Sequence, residues 1–398
     1  MSEPLRYDPY DYQIHEDPYP TYARLRDEAP LYHNEERGFW AISRHSDVAA
    51  GFRNTAQLSS RFGVSLDPIA YGPDAHKSMS FLAMDPPKHT RMRALVSKGF
   101  TPRRAADLEP SIRLLAERHL DAALSKSGGE FDFVADFAGL LPMEVISAML
   151  GVPETDRTEL RRLADLLVHR DKGVTDVPPA GIEAAIKLIT YFSELIADRR
   201  TRPADDLTSA LTQADVEGDR LSDEEVTSFL LLMVVAGNET TTKMLANAWF
   251  WASRFPDVKA RLLAEPSDAP LWVEETVRFD NSTQMLVRVA TGDVELAGSS
   301  VPDGAPVLLL IGSANRDAAA FPDPDLYDPY RNTSKLISFG SGRHFCLGAP
   351  LARLEGRIAL EALARRVSDY CVDEENSERV HSINVRGFAK LPTQVKIG

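Results

Sequence analysis

The sequence predicts a mainly α-helical protein with small β-sheets. Long segments place an apolar residue every three to four positions, which is typical of helices that pack one face against a core. Segments rich in β-branched residues and bounded by turn residues are fewer and shorter. Of the 398 residues 43% are hydrophobic, so the chain is able to bury a large core.

Five segments have the periodicity of amphipathic helices. They run from Ala105 to Ser125, from Asp156 to His169, from Pro179 to Arg200, from Ser222 to Arg254 and from Leu351 to Arg366. The fourth has the clearest beginning, because Ser222 and Glu225 have the spacing of a capping box. It continues until Pro256, so it is about 48 Å long and must run through the core as a long central helix.

The strand signals are short. They run from Gly38 to Ser43, from Gln284 to Val289, from Val294 to Leu296 and from Val307 to Leu310, with a last group near Asn384 to Lys396. The linker-like stretches, 125–129 and 178–179, are no longer than ordinary loops between helices. We therefore predict one domain that spans residues 1–398.

The composition excludes several classes of protein. The formal net charge of -14 predicts a surface that repels nucleic acid. The amino terminus lacks the apolar stretch of a signal peptide, and the longest apolar run, Phe229 to Ala236, is far shorter than the roughly 20 residues of a membrane span. We expect a cytoplasmic protein that does not associate with membranes. Its thiols should stay reduced, without a disulfide between Cys346 and Cys371.

Cys346 lies in a glycine-rich turn. Gly340, Gly342 and Gly348 surround it, which allows the backbone to turn sharply and a flat, bulky group to approach. A helix from Leu347 to Arg366 is predicted directly after it. The amino terminus of a helix stabilises negative charge, so we expect Cys346 to be a thiolate.

Four interpretations of Cys346 follow from these residues. An activated thiolate serves as a nucleophile, as a redox sensor or as a metal ligand, whereas a buried thiol is often only a small apolar side chain. His344 is near enough in sequence to act as the base of a cysteine hydrolase. However, the chain contains no Gly-x-Ser-x-Gly, Cys-x-x-Cys or His-Glu-x-x-His motif and no phosphate-binding loop.

The pattern Phe339, Gly342, His344, Cys346 and Gly348 resembles the haem-binding signature of the cytochrome P450 family. The resemblance extends over nearly the whole chain. It implies a cytochrome P450-like fold whose long central helix lies over the haem. It also implies a haem b cofactor with the Cys346 thiolate as axial iron ligand, and places Phe339 and Gly348 beside it.

The segment from Ala236 to Thr240 resembles the oxygen groove on the central helix of that family. The resemblance makes Thr240 and Glu239 catalytic residues that handle dioxygen and relay protons. It places Ala236 and Gly237 against the haem. A plain alternative is that Thr240 donates to the carbonyl four residues earlier and bends the helix.

Further residues match the family in its order along the chain. Glu275 and Arg278 resemble the Glu-x-x-Arg pair, and Arg331 lies where the third member of that group belongs. Most Glu-x-x-Arg pairs are ordinary helix contacts, and only the position after the central helix selects this one. The positions of the family that bind the haem propionates are matched by His89, Arg93, Arg288 and His344.

The resemblance also predicts a substrate pocket. Its walls would include Leu232, Met233, Asn281, Ser282, Gln284, Met285 and Phe388. Most such positions are apolar, so we expect an apolar or amphipathic substrate such as a secondary metabolite, a terpenoid, a steroid or a macrolide-like compound. Two departures are Leu336, where His is frequent, and 281–283, where Pro is common. The second should add polar groups and loosen the backbone beside the haem. These groups either bind a substrate hydroxyl or carbonyl or form a loop that its own side chains satisfy.

The predicted function is hydroxylation or epoxidation by a haem-thiolate monooxygenase. The chain lacks a dinucleotide fingerprint and an iron–sulfur cysteine cluster, so electrons should come from a ferredoxin and its reductase. A basic patch of Lys98, Arg103, Arg104 and Arg343 is expected to bind the ferredoxin. We expect a monomer. Alternatives are desaturation, oxidative ring closure or peroxide-driven oxidation by the same haem, a haem-based sensor, and the cysteine hydrolase.

Overall fold

A computed structural model describes residues 4–67, 70–100, 102–168, 178–216 and 218–398. The helices are α1 (Tyr12–Glu16), α2 (Tyr19–Glu28), α3 (His45–Arg53), α4 (His76–Met79), α5 (Lys88–Val96), α6 (Pro102–Asp107), α7 (Glu109–Leu124), α8 (Leu141–Leu150), α9 (Arg157–Val168), α10 (Pro179–Thr201), α11 (Leu207–Thr212), α12 (Asp223–Arg254), α13 (Pro256–Ala264), α14 (Ala269–Phe279), α15 (Ile311–Ala314) and α16 (Ala349–Arg366). These elements confirm the mainly helical prediction.

The strands are short. They are β1 (Leu31–Asn34), β2 (Phe39–Ile42), β3 (Leu58–Ser59), β4 (Glu130–Asp132), β5 (Asp215–Val216), β6 (Asp219–Arg220), β7 (Met285–Ala290), β8 (Val294–Leu296), β9 (Ser299–Val301), β10 (Pro306–Leu310), β11 (Val367–Val372), β12 (Glu378–Arg379), β13 (Phe388–Lys390) and β14 (Pro392–Ile397). The largest sheet has the order β1-β2-β10-β7-β3, in which β10 is parallel to β2 and antiparallel to β7.

Helix α12 is the central helix that the sequence predicts. It contains 32 residues, and the Ser222 side chain accepts from the backbone of Glu225 while the Glu225 side chain accepts from that of Ser222. Two hydrophobic clusters meet along it: one includes Phe229 and Leu230, and the other includes Leu245 and Trp249. The two ends of α12 are therefore held inside the core, and its middle, from Val235 to Thr240, lies between the clusters and is mostly only partly buried.

Several predicted boundaries were wrong. The segment from Ala105 to Ser125 forms two helices, α6 and α7, because Pro110 lies in the first turn of α7 and does not fit a helix interior. The helix after Cys346 begins at Ala349 rather than Leu347. The predicted end of the second helix, His169, lies outside the described residues. In the described part of the chain, no helix is long and apolar enough to cross a membrane.

Candidate functional site

The backbone around Cys346 is shaped by two glycines. Gly340 and Gly342 have φ angles of 71° and 69°, in the left-handed region that favours glycine. The Cys346 amide donates to the Phe339 carbonyl at 2.9 Å, which closes the turn. Gly348 has an ordinary φ of -83°, so the turn does not need a glycine there. A Cβ added to Gly348 would meet no protein atom within 4 Å, so this position leaves room beside Cys346.

The electrostatics of Cys346 correct the expectation of a free thiolate. Burial raises the pKa of the Cys346 thiol, and the backbone amides of Gly348 and Ala349 and the Arg93 guanidinium oppose this effect without cancelling it. Part of the residue's surface is nevertheless accessible, as expected for a group that lines an internal space. The helix terminus alone does not make Cys346 an anion, whereas a bound metal cation would. Cys346 and Cys371 are free cysteines in this structure.

Four basic side chains converge near Cys346, namely the residues His89, Arg93, Arg288 and His344 that the sequence selected for the propionates. The rings of His89 and His344 lie 4.1 Å apart between centroids. His89 and Arg288 are each 2% exposed. Helix α5 carries His89 and Arg93, and β7 carries Arg288 opposite Val307 of β10. Helix α5, strand β7 and the cysteine turn, which carries His344, therefore bring these groups to one place.

Burial lowers the pKa values of His89, His344 and Arg288 in this cluster. Burial, followed by nearby guanidinium groups such as Arg93, lowers the pKa of His89 to about 4. Burial and then the charge of Arg288 lower the pKa of His344 to about 2. The pKa of Arg288 falls to about 10 by burial, against the opposing charge of Asp85. At neutral pH both imidazoles are thus neutral, and a bound anion would favour the charged forms.

Several nitrogen atoms of the cluster are buried without a partner. Within the described residues, both ring nitrogens of His89 and of His344 and Nη1 of Arg93 make no hydrogen bond. The Met84 carbonyl raises the pKa of His344 slightly, but it is not placed to accept a hydrogen bond from either ring nitrogen. Buried polar groups are almost always paired. These donors, beside an accessible thiol and an open Gly348, fit the propionates of a haem.

Thr240 and Glu239 both have partners within α12. Its Oγ1 donates to the Ala236 carbonyl at 2.8 Å, as the plain alternative predicts. A Cβ added to Gly237 would lie 3.6 Å from Ile146, which is ordinary contact, so protein packing does not require glycine there. Glu239 Oε2 lies 3.3 Å from Nζ of Lys243. Lys243 was not identified from the sequence as a site residue. Its spacing of four residues from Glu239 was a signal that the two side chains would be in contact.

The segment after α14 is held more firmly than predicted. The Ser282 hydroxyl donates to the Thr240 carbonyl at 2.8 Å, and the Arg386 amide donates to the Ser282 carbonyl at 2.8 Å. Asn281 Nδ2 donates to the Thr283 carbonyl. The expectation that 281–283 loosens the backbone was therefore wrong, since side-chain hydrogen bonds join it to α12 and to itself.

The predicted pocket residues divide into two groups. Leu232 and Met233 lie on α12 in a hydrophobic cluster. Met285 instead packs in the core below the largest sheet, where its sulfur accepts from the Tyr7 hydroxyl at 3.7 Å. The Phe388 ring packs against that of Phe250, with centroids 4.6 Å apart and the planes tilted by 46°.

Gln284 also points into the protein. Its Nε2 donates to the Asn281 carbonyl at 2.7 Å, and its side chain packs against Gly312. These contacts do not support Met285, Phe388 or Gln284 as substrate contacts.

The structure brings Glu275, Arg278 and Arg331 together. Glu275 and Arg278 are fully buried and joined by two contacts of 2.7 Å, and Arg331 Nε lies 3.2 Å from Glu275. The Asp328 amide also donates to Glu275 at 2.8 Å. The group fixes α14 to the segment that precedes the cysteine turn.

Comparison with known proteins agrees with this geometry. Residues 270–397 match the family model described as Cytochrome P450. A putative cytochrome P450 123 of Mycobacterium tuberculosis is 58% identical over 390 residues, which is 98% of this chain and 96% of that protein. The chain belongs to the cytochrome P450 family. Cytochrome P450 monooxygenase PikC of Streptomyces venezuelae is 36% identical and covers 96% of this chain and 92% of its own.

Solved cytochrome P450 structures share the fold. Cytochrome P450 CYP109Q5 from Chondromyces apiculatus superposes with a TM-score of 0.90 at 33% identity, over 99% of both chains. The protein is a cytochrome P450 monooxygenase, and its cofactor is haem b held by a cysteine thiolate. The hydrolase alternative was wrong. His344, with a pKa of about 2, would also be a poor base.

Proposed function

We propose that this monooxygenase hydroxylates or epoxidises an apolar or amphipathic small molecule of the secondary-metabolite, terpenoid, steroid or macrolide-like class. The observation that carries the proposal is the set of unpartnered buried nitrogens beside Cys346, which fits a haem. CYP109E1 from Bacillus megaterium, 33% identical with a TM-score of 0.85, covers 95% of this chain and 99% of its own, and is described in complex with testosterone. This relative supports a steroid-like substrate.

Each site residue has a role in this proposal. Cys346 would hold the iron, His89, Arg93, Arg288 and His344 would bind the propionates, and Phe339, Gly348, Ala236 and Gly237 would border the haem. When bound, haem supplies the oxidation of substrate by dioxygen.

Thr240 and Glu239 would deliver protons. The Thr240 hydroxyl now donates to Ala236 and would turn toward the groove, while the Glu239 carboxylate, 20% exposed, would pass protons from solvent to that hydroxyl. Leu232, Met233, Asn281 and Ser282 remain predicted pocket residues. The single domain, the monomeric state and the cytoplasmic location also remain predictions.

Replacement of the cysteine tests the haem ligand. The purified protein, reduced with dithionite under carbon monoxide, should show the red-shifted Soret band of thiolate-ligated haem. Cys346→Ala should abolish this band because no other sulfur can take its place at the turn. Cys371→Ala, which alters an exposed thiol on β11, should keep it. A Cys346→Ala protein that retains the band would refute the assignment.

We further propose that a ferredoxin and its reductase supply the electrons. Arg103, Arg104 and Arg343 are exposed, and the charge of Arg343 reaches His89 of the haem cluster. The side chain of Lys98 lies outside the described part. Exposed arginines near the cysteine turn would attract an acidic partner despite the overall negative charge.

Charge reversal tests this patch. Arg103→Glu should slow reduction by a ferredoxin several-fold at low salt, and the difference should shrink as salt screens the charges. The rate is measured by stopped-flow absorption under carbon monoxide. Lys187→Glu, at an exposed position on α10, is the control and should leave the rate unchanged. Equal rates for the wild type and Arg103→Glu would contradict the proposal.

A further inference from the structure

Lys243 is a buried lysine in the middle of α12. Its side chain is 6% exposed, although lysine is almost never buried without a partner. It follows Glu239 by one helical turn, on the same face of the helix. A buried ammonium group next to the predicted catalytic residues therefore needs an explanation.

Two oxygen atoms hold the ammonium group. Nζ lies 3.3 Å from Glu239 Oε2 and donates to the Phe388 carbonyl at 3.0 Å. The turn before Phe388 packs directly on the lysine stem, since a Cβ added to Gly387 would lie 2.4 Å from the Lys243 Cβ. The lysine is thus clamped between main chain and carboxylate, which leaves its position little freedom.

Helix α9 adds two charged residues, Arg161 and Asp165, near the pair of Lys243 and Glu239. Partial burial and then the charge of Glu239 raise the pKa of the Asp165 carboxyl, whereas the charges of Arg161 and Lys243 lower it. Arg161 lies 3.8 Å from Asp165, whose side chain is 53% exposed. Two carboxylates and two cations therefore interact with one another here, and Lys243 is the most buried of the four.

We propose that Lys243 is a positioning residue that holds the Glu239 carboxylate in place beside Thr240 by anchoring it to the Phe388 carbonyl. A carboxylate that carries protons must stay within hydrogen-bonding reach of its partner. A flexible Glu side chain keeps such a position only when another group fixes it. The inference rests on the proposed function, because it gives Glu239 the role of proton carrier.

A double-mutant cycle tests the proposal. Lys243→Met, Glu239→Gln and the double variant are compared with the wild type, all loaded with haem. One readout is the infrared stretching band of carbon monoxide bound to the reduced protein, which responds to charges near the groove. The other is the rate at which dioxygen reoxidises the protein while a ferredoxin and its reductase supply electrons, followed as oxygen consumption, because reduction of dioxygen beyond superoxide takes up protons.

Both single variants should shift the infrared band and slow reoxidation at least about tenfold. In the double variant the effect of Lys243→Met should disappear, because it acts only through Glu239. Lys243→Gln retains a donor for the Phe388 carbonyl but no charge, and should behave like Lys243→Met. It also serves as the second variant if Lys243→Met does not fold. Lys187→Met removes an exposed lysine paired with Glu183 on α10 and should change neither readout.

The outcomes separate this inference from the proposed function. If the wild type lacks the thiolate-type Soret band, the proposed function fails and the inference fails with it. If that band is normal but Lys243→Met and Lys243→Gln match the wild type in both readouts, only the inference is overturned. Additive effects of Lys243→Met and Glu239→Gln would also overturn it, since Lys243 would then act independently of Glu239.

Discussion

Glu275→Gln is expected to lower the free energy of unfolding of the holoprotein by about 3–5 kcal/mol. Glu275 and Arg278 are fully buried, and Glu275 accepts from both Arg278 and Arg331. Glutamine preserves the size of the side chain but removes the charge. Arg278 would then be left as a buried cation without its counter-ion. Urea denaturation followed by the Soret band and by far-ultraviolet circular dichroism measures the loss.

The neighbouring residue provides a matched control. Glu274 makes an ion pair with Arg353, but these side chains are 24% and 38% exposed. Water replaces much of the lost interaction at such a site, so Glu274→Gln should change the stability by about 1 kcal/mol or less. The loss of unfolding free energy should thus be severalfold larger for Glu275→Gln than for Glu274→Gln, although the chemical change is the same. Equal losses for the two variants would contradict the structural role assigned to Glu275.

The sequence predicted elements that depend on local patterns. The capping box of Ser222 and Glu225 and the apolar periodicity after it are properties of neighbouring residues, so α12 was predicted at the bounds the structure shows. The motifs selected His89, Arg93, Arg288 and His344, which come from three separate stretches of sequence and lie together in the structure. Only the order of the motifs along the chain indicated that these side chains lie close together. No single stretch of sequence indicates it.

The substrate wall could not be predicted in the same way. Both faces of β7 are buried, so alternation along the strand does not show which face meets a pocket. Met285 and Val287 therefore turned out to belong to the cluster with Tyr7. The bond from Ser282 to the Thr240 carbonyl joins residues 42 positions apart, which no local pattern indicates.

The thiol of Cys346 shows a similar limit. The helix terminus that follows it is a local feature, and its effect on the pKa has the predicted sign. Burial is a property of the whole fold, however, and it has the larger effect. A sequence motif thus selected the candidate ligand but not the protonation state of its thiol before a metal is bound.

Asp280→Asn is expected to destabilise the protein by about 3–5 kcal/mol. Asp280 is fully buried at the end of α14 and accepts from Tyr19 at 2.7 Å, Trp251 at 2.8 Å and Arg386 Nε at 2.7 Å. Arg379 lies 3.4 Å away. The network joins α2, α12 and the segment before β13, so removal of its single negative charge would leave two buried arginines facing one another. Urea denaturation at pH 7 measures the change, and Asp74→Asn at an exposed pair with Lys77 should have no measurable effect.

The pH dependence distinguishes charge from shape at Asp280. Burial alone would raise the pKa of the Asp280 carboxyl, but Arg386 and Arg379 outweigh it, with hydrogen bonds from Trp251 and Tyr19, and lower the pKa to about 2. The unfolded value is about 3.9. Because the folded pKa is the lower one, the ionised carboxylate contributes about 2–3 kcal/mol of stability above pH 4, and this contribution is lost as the pH falls toward 2. The stability difference between wild type and Asp280→Asn should therefore be constant from pH 7 to 5 and narrow below pH 4. A difference that does not change with pH would mean that the side chain acts through its shape and hydrogen bonds alone.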